Sequence, residues 1–129
     1  QAFSKIGLVP DSGGTYFLPR LIGLPKAAAI MMTGEPVSAE KAEQMGMIYA
    51  VYADAEFESK SLELAKSISE MPTKGLGYTK KLLNHSLNNT LEEQLDLEAE
   101  TQALSAKSED HKEGIQAFLE KRKPVFTGK

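Results

Sequence analysis

The residues best suited to chemistry lie close to the start of the chain, in Ile6-Gly7-Leu8-Val9-Pro10-Asp11-Ser12-Gly13-Gly14-Thr15. Asp11 offers a carboxylate that can take up and return a proton. The adjacent Gly13 and Gly14 would let a ligand approach the backbone closely, just inside an expected helix start. A helix N-terminus there supplies free N–H groups and the positive end of a dipole. Leu8, Val9 and Phe17 are apolar neighbours that could partly desolvate the carboxylate. Desolvation raises a carboxylate pKa and the dipole lowers it, so the sequence leaves the balance open. It also leaves open a plain structural role, since Asp is a favoured helix N-cap.

The second candidate pair is Phe118 and Lys121, three apart on the last expected helix and therefore on one face. Taken alone, they read equally as a core phenylalanine beside a solvated lysine. The remaining candidates are weaker. His85 and His111 read as solvated or capping residues and are too few for a histidine metal site. Arg20 could meet a phosphate, but an ion pair is the simpler expectation. Met31-Met32, Met45 and Met47 read as core filler. Lys121-Arg122-Lys123 reads as a solvated helix end that complements the dipole. No metal site is expected. Cysteine is absent, which excludes disulfides, thiolate nucleophiles and cysteine-ligated zinc.

Stepping outward to the elements that must hold these groups, 129 residues suffice for one domain with a modest core. With 41% apolar and 26% charged residues, the composition is that of an ordinary globular chain. A net charge of −3 argues against a nucleic-acid partner bound through a basic face. The apolar runs are too short to span a bilayer, so no membrane partner is expected. No basic-then-apolar leader is visible, which makes a cytoplasmic location the default expectation. The chain opens on Gln1-Ala2-Phe3 rather than on methionine, and we read it as a fragment.

The pattern predicts a mostly α chain. Ser12 or Asp11 is expected to cap a helix running to about Leu21 and ended by Gly23. A helix over 26–33, with Pro25 in its first turn, should close at Gly34. Ser38 should cap a short helix that stops at Gly46. Met47 to Tyr52 alternates in a way that suggests one short strand. An amphipathic helix over 54–71, with Phe57, Leu64, Ala65 and Ile68 on one face, should end at Pro72. A helix over 74–87 is weakened by Gly75 and Gly77. Thr90 to Glu93 reads as a capping box opening a long helix with Leu91 and Leu95 in its stripe. Asp110 with Glu113 is expected to cap the last helix, with Ile115, Phe118 and Leu119 on its buried side and its end near Pro124. The expected division is 1–53, the end of a core with the active-site loop, and 54–129, a helical oligomerisation region.

Taken in order, these segments carry a resemblance. Gly7 to Thr15 with Leu18-Pro19-Arg20 and Gly23, then Thr33-Gly34-Glu35, Ser38-Ala39-Glu40 with Ala42, Gly46-Met47-Ile48, Thr79-Lys80-Lys81, and finally Asp110, Glu113-Gly114, Ala117-Phe118 and Glu120 to Pro124 resemble the crotonase family. The likeness runs over nearly the whole chain and matches the family's C-terminal half. It implies an α/β spiral of ββα repeats ending in a helical trimerisation region, so that this chain should be mostly α with at most one or two short strands. It implies an acyl-CoA thioester as substrate, no separate cofactor, and a homo-oligomer, a trimer or a pair of trimers.

The resemblance also implies roles. A carboxylate moves a proton beside the thioester while two backbone N–H groups hold its oxygen. Those N–H donors belong to the family's N-terminal half, so Ser12 to Thr15 are not the oxyanion hole and the isolated chain is expected to be inactive. Hydratases of the family place a glutamate four residues before the glycine matching Gly7, where this chain has Phe3. Several isomerase members carry an acid at the position of Asp11, which is thereby the expected catalytic acid/base, with Pro10, Gly13, Gly14 and Phe17 as substrate contacts. Phe118 and Lys121 match residues that line the coenzyme A site, where a ring and a cation suit adenine and phosphate. Ala2 to Asp11 with Tyr16 to Arg20 is most similar to members that turn a ring 1,2-epoxyphenylacetyl-CoA into an oxepin-CoA and also shift enoyl-CoA double bonds, in phenylacetate or fatty-acid metabolism. Enoyl-CoA hydration and a non-catalytic helical assembly module are the alternative readings.

Overall fold

The computed structural model describes residues 2–129. Among them the regular elements are all helical, with α1 (Gly14–Ile22), α2 (Leu24–Thr33), α3 (Ala39–Gln44), α4 (Asp54–Ser69), α5 (Thr73–Ser86), α6 (Leu91–Ser105) and α7 (Glu109–Glu120). A 3-10 turn at Ala2–Ile6 precedes them. The chain divides into two compact units, Gln1–Glu56 and Phe57–Lys129. Among the described residues no helix is long and apolar enough to cross a membrane.

In the first unit the core is a small cluster. Leu18 and Ile22, four apart on α1, share a face with Ala27 of α2, and Ile30, Met31, Met45 and Met47 pack around them. The methionines at 31, 45 and 47 thus fill the core as expected, whereas Met32 is 77% exposed. Gly23 separates α1 from α2 with a φ of 82°. Gly34 ends α2 in the left-handed region, and a Cβ there would lie 3.2 Å from the Ala2 backbone. Ser38 caps α3 by accepting from the Lys41 N–H at 3.2 Å. The strand expected over Met47 to Tyr52 does not form. The segment is bends and extended coil, and no strand exists among the described residues to pair with it. An unpaired strand leaves its backbone groups without a ladder, so alternation alone cannot sustain one.

In the second unit α5 and α6 pack together. Gln94 ties them, donating to the Leu82 carbonyl at 3.3 Å and accepting from Asn89 at 3.0 Å. The expected capping box opens α6. The Glu93 N–H donates to Thr90 Oγ1 at 3.3 Å, and Glu93 accepts from the Thr90 N–H at 2.8 Å. The Thr90 N–H, then the Thr90 hydroxyl, which donates to the same carboxylate at 3.0 Å, hold the Glu93 carboxyl below its usual range. α4 buries none of its residues, so its expected apolar face is open to solvent in this chain.

α7 departs furthest from expectation. Its N-cap is Ser108, which accepts from the His111 N–H at 3.1 Å. Asp110 is 3% exposed and serves the chain terminus instead. Its two carboxylate oxygens accept from the N–H groups of Thr127 and Gly128 at 2.7 and 2.9 Å. Its own N–H donates to the Lys129 carbonyl at 3.2 Å. Glu113 accepts both terminal nitrogens of Arg122 at 2.6 and 2.8 Å and the Val125 N–H at 2.8 Å. Residues 122–129 therefore run back along α7 as a strap. The helix stops at Glu120, ahead of Pro124, because Lys121 turns left-handed.

Two consequences can be measured on this chain. Gly77 lies within α5, and a Cβ there would meet nothing within 4 Å. Gly77→Ala should therefore raise unfolding free energy by roughly 0.5–1 kcal/mol in denaturant titration. The Arg122 fork, then the Val125 N–H, holds the Glu113 carboxyl down from 4.5 to about 2. A depressed folded-state pKa stabilises fully above the ordinary carboxylate range and loses that contribution as pH falls through the window toward 2. The stability gap between the parent chain and Glu113→Gln should thus be widest at neutral pH and shrink across that window; a gap that stays constant would contradict it.

Candidate functional site

The loop before α1 is built by two successive left-handed residues. Ser12 has φ 52° and Gly13 φ 79°. The Gly14 N–H donates to the Asp11 carbonyl at 2.8 Å across them, the pattern of a type I′ turn. Glycine suits this conformation; serine seldom adopts it. Gly13 is also crowded, since a Cβ there would sit 3.0 Å from two ring carbons of Phe17. Gly13 then becomes the N-cap of α1, and no side chain caps that helix.

This placement settles what Asp11 does locally. Neither Asp11 nor Ser12 is the helix cap. The Asp11 carboxylate lies one turn outside the helix, exposed, accepting a hydrogen bond from Ser12 Oγ at 3.0 Å. Pro10 is half-buried and Gly14 partly covered. Phe17 is 53% exposed, as are Leu8 and Val9 at 57% and 79%. Asp11 and the apolar residues Leu8, Val9 and Phe17 of this segment are thus all exposed.

Among the described residues Arg20 makes no ion pair. Its guanidinium lies 3.6 Å over the Tyr16 ring, and its Nη1 donates to the Tyr16 carbonyl at 2.8 Å. Tyr16 and Phe17 stand edge to face with centroids 5.1 Å apart. The loop side of α1 is thus braced by its own aromatic residues.

At the far end of the chain, Phe118 lies in the last turn of α7 and is 83% exposed. Ile115 and Leu119 are exposed as well, at 50% and 69%, and α7 buries Ala117 and Asp110 instead. The expected apolar side of α7 is present, and its Ile115, Phe118 and Leu119 are exposed. Lys121 lies just past the helix that carries Phe118. It sits at the C-cap with φ 56° and ψ 39°, its N–H closing on the Ala117 and Phe118 carbonyls. Phe118 borders an open cleft of about 420 Å³ with Ser105, His111, Leu119 and Phe126. Phe126 comes from the strap. His111 takes part in capping through its backbone, and among the described residues no cluster of acidic or histidine side chains could hold a metal ion.

The residues that sequence reading misassigned are Asp110, Glu113 and Arg122. Asp110 and Glu113 looked like cap residues because they stand at a helix start. Only their partners, nine to eighteen positions along the chain, show their use. The Pro124 that follows Arg122 was the one available hint that the chain turns back there.

The known proteins that this chain is similar to fall in one family and carry both isomerase and hydratase names. The sequence model of the enoyl-CoA hydratase/isomerase family matches residues 1–129. The chain is 46% identical over its whole length to a 1,2-epoxyphenylacetyl-CoA isomerase of Escherichia coli, of which it covers 49%. It is 42% identical to a "Probable enoyl-CoA hydratase" of Rhodobacter capsulatus, again over the whole chain and 50% of the relative. Among solved structures, an enoyl-CoA hydratase from Bacillus anthracis superposes with a TM-score of 0.94 at 30% identity, over 99% of this chain and 50% of that one. The chain spans about half the length of the curated relatives it matches. Its helices are those of the crotonase fold, and the chain belongs to the enoyl-CoA hydratase/isomerase family.

Proposed function

We propose that the protein containing this chain is an acyl-CoA isomerase in which Asp11 carries the proton. The supporting observation is the loop geometry. Asp11 is not occupied by capping, and its carboxylate accepts only a neighbouring hydroxyl among the bonds described for it. A carboxylate without a structural duty, set in an apolar loop, suits proton transfer beside a thioester. The base takes a proton from the carbon between the thioester and the double bond, the electrons shift toward the thioester oxygen, and a proton is returned two carbons away as the double bond moves one position. No atom is gained or lost. The developing oxyanion needs preorganised N–H donors. We assign those to the part of the relatives' length that lies outside the matched region, and we read the isolated chain as inactive for that reason.

Isomerisation is favoured over hydration by Phe3, which stands where hydratases of the family keep a second acid. The similarity to the 1,2-epoxyphenylacetyl-CoA isomerase supports an epoxide-bearing or unsaturated acyl group. In this reading Pro10, Gly13, Gly14 and Phe17 border the acyl group, and Phe118 and Lys121 meet the coenzyme. The open apolar faces of α4, α6 and α7 suit a homo-oligomeric parent protein. A cytoplasmic location fits a soluble thioester substrate.

The test is the whole protein with Asp11→Asn. That change keeps shape and removes the base. Turnover of an enoyl-CoA or of a 1,2-epoxyphenylacetyl-CoA should fall by roughly 10²–10⁴-fold, the usual contribution of a positioned acid/base. Unchanged turnover would remove Asp11 from the mechanism, and water addition at ordinary rates by the parent protein would favour hydration.

A further inference from the structure

We propose that Asp110 and Glu113 are positioning residues for coenzyme A recognition: they clamp residues 122–129 back along α7 and so fix the backbone of Lys121. The proposal rests on the reading above that Lys121 meets the coenzyme. Neither carboxylate need touch the ligand; both act through Lys121.

Three observations carry it. First, Lys121 occupies the left-handed position that ends α7, with φ 56°. Glycine is the usual residue there, because a Cβ is sterically disfavoured. A lysine held in that conformation needs surroundings that over-determine it. Second, the very next residue supplies them. Arg122 forks onto Glu113 at 2.6 and 2.8 Å, a rigid two-point contact that lysine in its place could not make. Glu113 also takes the Val125 N–H, and buried Asp110 takes those of Thr127 and Gly128. Third, the strap cannot slide. Gly128 has φ 76°, and a Cβ on it would come within 2.6 Å of Thr73 Oγ1 at the start of α5. Phe126 lies over Gly114, where a Cβ would be 3.7 Å from its ring, and forms a wall of the cleft that Phe118 also borders. Two carboxylates thus hold both the strained residue and one side of the aromatic cleft.

The experiment measures kcat and KM of the whole protein for an enoyl-CoA and for the same acyl group on pantetheine, which lacks the nucleotide and its phosphates. Glu113→Ala should raise KM for the CoA thioester roughly tenfold, the size of one lost charge-assisted contact. It should leave kcat, and KM for the pantetheine thioester, unchanged. Lys121→Ala should give the same split, and the double variant should add nothing further. Hydrogen exchange at the Val125 and Thr127 amides should quicken in Glu113→Ala. Lys121→Gly separates positioning from mere structure: it should raise the Tm by relieving the left-handed strain, yet raise KM for the CoA thioester. If Glu113→Ala fails to fold, Gly128→Ala disturbs the strap without altering charge and should show the same KM split.

Equal KM increases for both thioesters, or a fall in kcat alone, would reduce the clamp to a structural role and overturn the proposal. A KM raised by Lys121→Ala but not by the clamp variants would also overturn it, leaving the Lys121 reading intact. No effect of Lys121→Ala would sink the Lys121 reading itself, and the clamp's role with it.

Discussion

The site depends on the positive φ angles at Ser12 and Gly13. They fold the backbone so that the Asp11 carbonyl, not its side chain, receives the first amide of the turn. Had Ser12 stayed in the extended region, an Asp or Ser side chain would have been free to cap α1, the ordinary arrangement at a helix start. The left-handed pair moves the cap to Gly13 and leaves the Asp11 carboxylate outside the helix. A non-glycine residue in this region is held at a local cost of order 1 kcal/mol. Such strain persists only when neighbouring structure fixes it. The Phe17 ring against Gly13 and the Tyr16–Arg20 stack provide that bracing.

A second constraint is how little of this chain is buried. Among the described residues the buried hydrophobics are Leu18, Ile22, Ala27, Ala42 and Ala117, three of them alanines. A core this small stabilises weakly, because burial scales with apolar area removed from water. Polar devices do much of the local ordering in its place. The capping box opens α6, Gln94 links α5 to α6, and the Asp110 and Glu113 clamps close the C-terminus. Exposed apolar groups on α4, α6 and α7 form faces of a kind that marks interaction surfaces. The loop at Asp11 and the end of α7 share this character, each holding a candidate functional residue beside apolar side chains still open to solvent.

What was legible in the sequence was local. Gly23 and Gly34 stop helices because each must take a positive φ. Ser38 and the Thr90–Glu93 box cap helices through bonds spanning three residues. The ordered motifs carried the family. What was not legible depended on long-range partners. Asp110 is tied to amides 17 and 18 residues away, so its place at a helix start suggested a cap that Ser108 provides instead. The periodicity of Ile115, Phe118 and Leu119 marked an apolar face correctly, but periodicity does not say whether that face is covered. The alternation over Met47 to Tyr52 misled for the same reason, because a strand needs a partner. The Asp11 reading turned on the Ser12 backbone, and residue type gives little warning of a left-handed serine.

The central claim is that Asp11 moves a proton at the carbon beside a CoA thioester. Solvent exchange at that carbon tests it most directly, since exchange requires proton removal but no completed isomerisation. In D2O, the whole protein should wash deuterium into the position next to the thioester of a 3-enoyl-CoA, as read by NMR of recovered substrate and product. The Asp11→Asn protein should bind the same thioester and incorporate none. Deuterium incorporation at the parent rate by Asp11→Asn would contradict the account and place the base elsewhere.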